Sequence, residues 1–224
     1  MRRATFAAAC LAALLGAASQ DASASADRAA ASLDFDKAFS TKYEPKRGHF
    51  VATYVVNGSE HRLEVWRDGE GRLRRRTDDR VETYVSKPAG EVEWKMTVLD
   101  LKRRIRTDVD RTNLMRVGHF SDWFGLAHGV ARPIGVYAVN PLRQPPPGAA
   151  PIAACRWYVL SQHERSSKIC WSASQALPLL ITDGEDRVQW RVTAVDSARH
   201  LHETFDIDDR GFVRNDANED IKAD

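Results

Sequence analysis

The stretch from Cys155 to Val195 constrains this chain most: CRWYVLSQHERSSKICWSASQALPLLITDGEDRVQWRVTAV. Two cysteines flank a strand–turn–strand pattern. A Trp-bearing segment then runs into Leu177-Pro178-Leu179, and a turn at Asp183-Gly184 leads into another strand. In that last strand Val188, Trp190, Val192 and Ala194 alternate with Gln189, Arg191 and Thr193. Successive strand side chains point to opposite faces, so the pattern specifies one apolar face and one wet face.

The same pattern recurs upstream. His49–Val56 ends at Asn57-Gly58 and Glu60–Arg67 ends at Asp68-Gly69, both strong hairpin signals. Arg72–Thr77 and Arg80–Ser86 join across Asp78-Asp79, and Pro88-Ala89-Gly90 closes that pair. Val92–Leu99 sets Val92, Trp94, Met96 and Val98 against Glu93, Lys95 and Thr97. Lys102–Thr107, Ile134–Val139, Arg156–Ser161, Ser167–Ser172, Leu179–Thr182, Arg187–Val195 and Leu201–Ile207 complete the set, and Asn140 to Pro151 reads as a loop. About ten to twelve strands at this spacing predict an antiparallel meander, and a sheet that long curls. Leu114 to Val130 differs. Leu114, Val117, Phe120, Trp123/Phe124, Leu126/Ala127 and Val130 recur at helical spacing, interrupted by Gly118 and Gly125. The expected fold is therefore mainly β with a few helices: a curved antiparallel sheet, an incomplete barrel, with a helical plug on the concave face.

Residues 1–26 read as a signal peptide: a basic Met1-Arg2-Arg3, an apolar Thr5–Ala18 and a small-residue Ala24-Ser25-Ala26 cleavage site. Cys10 lies inside the apolar part, without the Leu three residues earlier that a lipoprotein signal carries. Residues 27–47 read as a flexible lead-in in which Leu33, Phe35, Ala38 and Phe39 could form one face of a short helix. Residues 48–214 read as the folded domain and 215–224 as an acidic tail. Losing residues 1–26 removes Arg2, Arg3 and Asp21 from 33 basic and 31 acidic side chains and leaves a net charge of +1. That balance does not predict nucleic-acid binding. No second apolar run reaches membrane-spanning length, so membrane contact is expected to be peripheral at most. An exported chain with two remaining cysteines is expected to join Cys155 to Cys170, the alternative being two unpaired thiols. A hairpin turn near Gln162-His163 would set them opposite each other.

This order of elements resembles the LolA/LolB/RseB group of bacterial periplasmic proteins, from about Phe50 to Phe212. The likeness is sharpest at Tyr158, Ile169-Cys170-Trp171 and Leu177-Pro178-Leu179, with Ala176 where that group's turn carries Gly, and at Asp183-Gly184 with Val188-Gln189-Trp190. It implies an incomplete barrel with helices in its concave face, and a periplasmic carrier or sensor of acyl chains or hydrophobic segments.

Six tryptophans, Trp66, Trp94, Trp123, Trp157, Trp171 and Trp190, share strand faces with Val and Met or lie in the helical segment. They fit core packing, or contact with an acyl chain or peptide in a cavity. The candidate ligand-binding residues are Trp94, Met96, Phe120, Trp123, Phe124, Leu126 and Trp190. The basic runs Arg72–Arg76 and Lys102–Arg106 read as a solvated outer face, with Asp78, Asp79, Asp108 and Asp110 as neutralising neighbours, or as contacts for anionic headgroups or an acidic partner. His200 and His202 make two ligands without a third, so neither a metal site nor any cofactor is expected. Ser121, Asp122 and His128 could be imagined as a triad, but no G-x-S-x-G elbow supports it, and no catalytic residue is assigned. The expected function is a periplasmic, non-enzymatic binding protein for a lipid, a lipoprotein acyl chain or an apolar peptide. The alternatives are an interaction module regulating envelope stress signalling through another envelope protein, and a hydrolase with an unrecognised site.

Overall fold

The computed structural model describes residues 32–69, 71–116, 122–147, 149, 154–196 and 202–219. The expected signal peptide, Gly118, Phe120, Ser121 and His200 lie outside them. Twelve strands form one sheet: β1 Arg47–Val56, β2 Ser59–Asp68, β3 Arg72–Thr77, β4 Val81–Ser86, β5 Lys95–Asp100, β6 Ile105–Asp110, β7 Ala138–Pro141, β8 Arg156–Gln162, β9 Arg165–Ser172, β10 Leu177–Asp183, β11 Val188–Val195 and β12 Val213–Asp216. Their order is β12-β6-β5-β4-β3-β2-β1-β11-β10-β9-β8-β7. Two meanders, β1 to β6 and β7 to β11, are thus joined edge to edge by the antiparallel pairing of β1 with β11. Among the described strands only β12, alongside β6, runs parallel to its neighbour. The sheet does not close, since β12 and β7 stand at opposite ends.

Asn57 and Gly58 at the first hairpin have φ of 50° and 78°, the paired left-handed backbone that an Asn-Gly turn supplies at little cost. Its ten-residue register, Arg47↔Asp68 to Val56↔Ser59, sets Phe50 against Val65 and Ala52 against Leu63. The same face continues through Leu73, Val85, Met96 and Val109. These residues, with Trp94, Leu126, Cys170, Leu177, Leu179, Leu180, Trp190 and Val192, form the larger of two buried clusters. The smaller joins Phe35, Ala38, Phe39, Val130, Val139, Tyr158, Ile169, Trp171 and Ala176.

Helix is sparse: α1 Phe35–Ala38, α2 Arg111–Arg116, α3 Trp123–His128 and a 3₁₀ turn over His202–Phe205. With no described helix longer than six residues, the expected helical plug is not seen among the described residues. Short pieces packed on particular strands take its place. Within the 27–47 segment, Phe35, Ala38 and Phe39 are buried. Their rings meet Phe124, Tyr137, Tyr158 and Trp171 at centroid distances of 4.8 to 6.4 Å among themselves and these neighbours.

Four local expectations are corrected. The strand expected from Val92 begins at Lys95; Val92 is exposed and Trp94 is buried ahead of the strand. The Asn140–Pro151 loop gives up Asn140 and Pro141 to β7. Within the strand expected over Leu201–Ile207, the described residues hold the 3₁₀ turn and no strand. Gly125 does not interrupt a helix but sits inside α3. The face opposite the apolar one is not simply wet either. Over β3 to β5, Arg74 lies between the rings of Trp66 and Tyr84, at 5.0 and 5.4 Å. It donates to Glu82 (2.8 Å) and to the carbonyl of Thr204 (3.2 Å). The Tyr84 hydroxyl also donates to Glu82 (2.6 Å), and burial with that carboxylate beside it pushes the phenol up. Arg106 bridges Asp108 and Asp209. The basic runs are therefore knitted to carboxylates and to the segment around the 3₁₀ turn.

Candidate functional site

The site is built around α3. Asp122 caps its start: the carboxylate accepts from the N–H groups of Phe124 (3.0 Å) and Gly125 (3.2 Å). The same carboxylate accepts from the N–H of Arg132 (3.0 Å), so one side chain ties both ends of a loop. Gly129 ends the helix at φ 75°, its N–H bonded to the Gly125 carbonyl (2.9 Å). A left-handed residue at this position favours glycine, and space demands it too. A Cβ on Gly129 would stand 3.2 Å from Cη2 and Cζ2 of Trp190.

A buried network fixes this helix to the sheet. Arg67 faces inward from β2 and donates to the carbonyls of Ala127 (2.8 Å), Ala176 (3.2 Å) and Gln175. Its Nε lies 3.2 Å from Glu44, and Glu44 lies 3.2 Å from Nε2 of His128. His128 Nδ1 pairs with the carbonyl of Phe124 (3.1 Å), and its ring stacks on Phe124 at 4.5 Å. Burial pulls the Arg67 guanidinium down to about 10, with Glu44 opposing. Burial raises the Glu44 carboxyl, but the bond to His128 and the field of Arg67 outweigh it and hold it below the usual range.

Beside α3 an open cleft of about 570 Å³ is lined by Tyr54, Arg75, Asp122, Leu126, Trp190 and the segment 131–134, with Gly125 and Gly129 completing it. The volume falls in the range of roughly 300 to 1,000 Å³ usual for ligand sites. Its floor is apolar. Trp190 is fixed by its Nε1, which donates to the Pro178 carbonyl (2.8 Å), and its ring lies 6.3 Å from that of Tyr54. At the rim Ile134 is 86% exposed, and two residues on Val136 is 88% exposed. Two cations line the cleft. Arg132 is paired with Asp36. Arg75 forms no salt bridge among the described residues; burial pushes its guanidinium down, opposed by the field of Tyr54.

Of the seven candidate ligand residues, the structure brings Leu126 and Trp190 together in this cleft. Trp94 and Met96 are buried in the larger cluster. Phe124 packs against Phe35 and Trp171. Trp123 lies under the Lys87 ammonium (5.8 Å), in a shallow groove with Gly71, Pro88 and Gly90. Phe120 is outside the described residues. Sequence reasoning passed over Tyr54, Arg75 and Arg132. For Arg75 a signal existed: on β3 the inward Leu73 obliges the residue two places on to face inward as well. Asp122 and His128 are placed, but in capping and bridging roles; Ser121 is outside the described residues. Among the described residues no three His, Cys, Asp or Glu side chains could hold a metal ion, and no helix is long and apolar enough to cross a membrane.

Cys155 and Cys170 form a disulfide with Cα atoms 5.4 Å apart. The hairpin turns at His163-Glu164, one residue later than expected, and Cys170 pairs in register with Trp157, so the bridge is diagonal.

Compared by sequence, the chain matches no family model and no curated protein. Compared by structure, it is similar to the crystal structure of MucB, with 13% identity and a TM-score of 0.40 over 77% of this chain. The match spans 61% of the MucB chain.

Proposed function

We propose that this chain is an exported, periplasmic binding protein that holds a hydrophobic ligand, such as a lipid, a lipoprotein acyl chain or an apolar peptide, as a carrier or sensor. The observation that carries the reading is the cleft over Tyr54 and Trp190, which α3 walls but does not fill. Apolar surface left in water forgoes about 25 cal/mol per Å². An occupant burying a few hundred Å² of its own surface and as much of the cleft's would recover on the order of 10–15 kcal/mol before the cost of association, and micromolar affinity needs about 8 kcal/mol of that to remain. The disulfide supports an oxidising compartment. The reading is of binding and not catalysis, because Asp122 and Arg132 at the cleft are already committed to backbone and to Asp36.

Titration with a fluorescent fatty-acid probe tests it. Wild type should bind at micromolar strength, and Ala131→Trp, which puts a ring into the cleft from an exposed lining position, should weaken binding at least tenfold while preserving the melting temperature within a few degrees. A wild type that binds no hydrophobic probe defeats the reading. A second reading, docking of another envelope protein, is favoured by the exposed Ile134 and Val136; a partner crosslinked at Val136 in a probe-negative protein would put it first.

A further inference from the structure

The hydrophobic-ligand reading, on which this inference rests, leaves the ligand's polar end open, and Arg75 specifies it. Arg75 projects from β3 on the same face as Leu73 and lines the cleft with Tyr54, Leu126 and Trp190. It has no salt bridge among the described residues, whereas nearly every other inward or network arginine has one: Arg67 with Glu44, Arg74 and Arg76 with Glu82, Arg132 with Asp36. Arg75 is half-buried and reaches solvent through the cleft, so an anion entering there would meet a guanidinium with no competing ion pair among the described residues. Its planar fork matches a carboxylate or a phosphate through two parallel N–H···O bonds. The surrounding charge selects between them. One unpaired cation stands in the cleft, and the Asp122 carboxylate lines it too. A head with one negative charge matches the one unpaired cation; Asp122 repels either head, the doubly charged one more strongly, so the carboxylate is favoured.

We propose that the cleft takes a long-chain fatty carboxylate, its tail over Leu126, Trp190, Pro133 and Ile134 and its carboxylate on the Arg75 guanidinium. Calorimetric titration of the disulfide-bonded protein with three twelve-carbon probes tests this: laurate, dodecanol and dodecyl phosphate, at pH 7.5 and below their aggregation thresholds. Laurate should bind wild type at least tenfold more tightly than dodecanol, and more tightly than dodecyl phosphate. Arg75→Met, which keeps the side chain's length and removes its charge, should bring laurate down to the level of dodecanol and leave dodecanol unchanged. Equal affinity of wild type for laurate and dodecanol overturns the inference, and needs no variant to fold. So does an Arg75→Met protein that loses both ligands alike, or dodecyl phosphate binding as tightly as laurate; in each case the hydrophobic-ligand reading stands. If none of the three binds, that reading falls and takes this one with it.

Discussion

At the scale of single residues, polar groups placed where hydrophobic ones would be expected decide most of what is specific here. Arg67 occupies an inward position beyond Leu63 and Val65 on β2, with Leu73 across the strand pair; three carbonyls accept from its terminal nitrogens and Glu44 pairs its charge, while its Nε makes no hydrogen bond. Removing one partner of such an arrangement leaves the rest desolvated and unpaired. Arg67→Met should therefore cost on the order of 3 kcal/mol, read as a lowered urea midpoint with an unchanged m-value. Glu44 gives the network a pH dependence. Its carboxyl is held below its usual value of 4.5 in the folded chain, so the folded state favours the ionised form. The stability this supplies is full above about pH 5 and is lost as the pH falls through the folded value. Glu64 works the same way: burial raises it, but His49 and Arg62 bring it below the usual range. Urea unfolding should give the same midpoint at pH 7 and pH 5.5 and a lower one at pH 3.5. In Glu44→Gln that acid loss should shrink by on the order of 1 kcal/mol, since the group is partly exposed. An unchanged pH profile in that variant would show the pair to be energetically idle.

At the scale of elements, α3 shows how six residues can hold a helix. So short a segment has no stability of its own. Asp122 at one end, Gly129 at the other, and Arg67 on the Ala127 carbonyl supply it. Gly129→Ala should cost about 1–2 kcal/mol from the left-handed backbone alone, and more from pushing Trp190, so its melting temperature should fall. Because that ring floors the cleft, Gly129→Ala should also change Trp fluorescence, which a purely local backbone effect would not. The strands were legible because their ends carry chemistry: Asn57-Gly58 and Asp183-Gly184 mark turns that bound them. The misreadings have physical causes. The strand expected over Ile134–Val139 begins only at Ala138 and runs on through Pro141; β7 stands at the sheet's end, where proline's missing N–H costs no ladder bond. β12 was invisible because its four residues are held by backbone pairing to β6, far away in sequence, and four exposed polar or small side chains announce nothing. The cap pair Asp122/Gly129 was visible in the sequence but masked, because Gly125 between them reads as a breaker. Arg75 was hidden in a basic run that reads as surface unless strand alternation is applied through it.

At the scale of the whole molecule, one seam matters. The β1–β11 pairing joins Phe50 to Val195 and Tyr54 to Trp190, uniting two meanders whose other antiparallel pairings are between neighbouring strands. The cleft straddles that seam: Tyr54 and Arg75 come from the first meander, Trp190 from the second. If the cleft binds as proposed, binding depends on the seam, whereas the disulfide lies wholly within the second meander, at the β8–β9 hairpin. These two facts predict a separation of effects. Closing a loop of 15 residues in the unfolded chain is worth about 3 kcal/mol on the chain-entropy model, which for a chain of this size corresponds to a fall of roughly 6–12 °C in melting temperature on reduction. Cys170 is fully buried in the larger cluster with Leu177, Leu179 and Leu180, so the double variant Cys155→Ala, Cys170→Ala should melt lower still through the volume lost there. At 20 °C, well below either transition, the reduced protein should nonetheless bind the fatty-acid probe with unchanged affinity, because the hairpin backbone is held by its own ladder and neither cysteine lines the cleft. Loss of probe affinity on reduction, with the far-ultraviolet spectrum intact, would mean that the bridge shapes the site through β10 and Trp190, and the division between a stapled second meander and a seam-borne cleft would have to be abandoned.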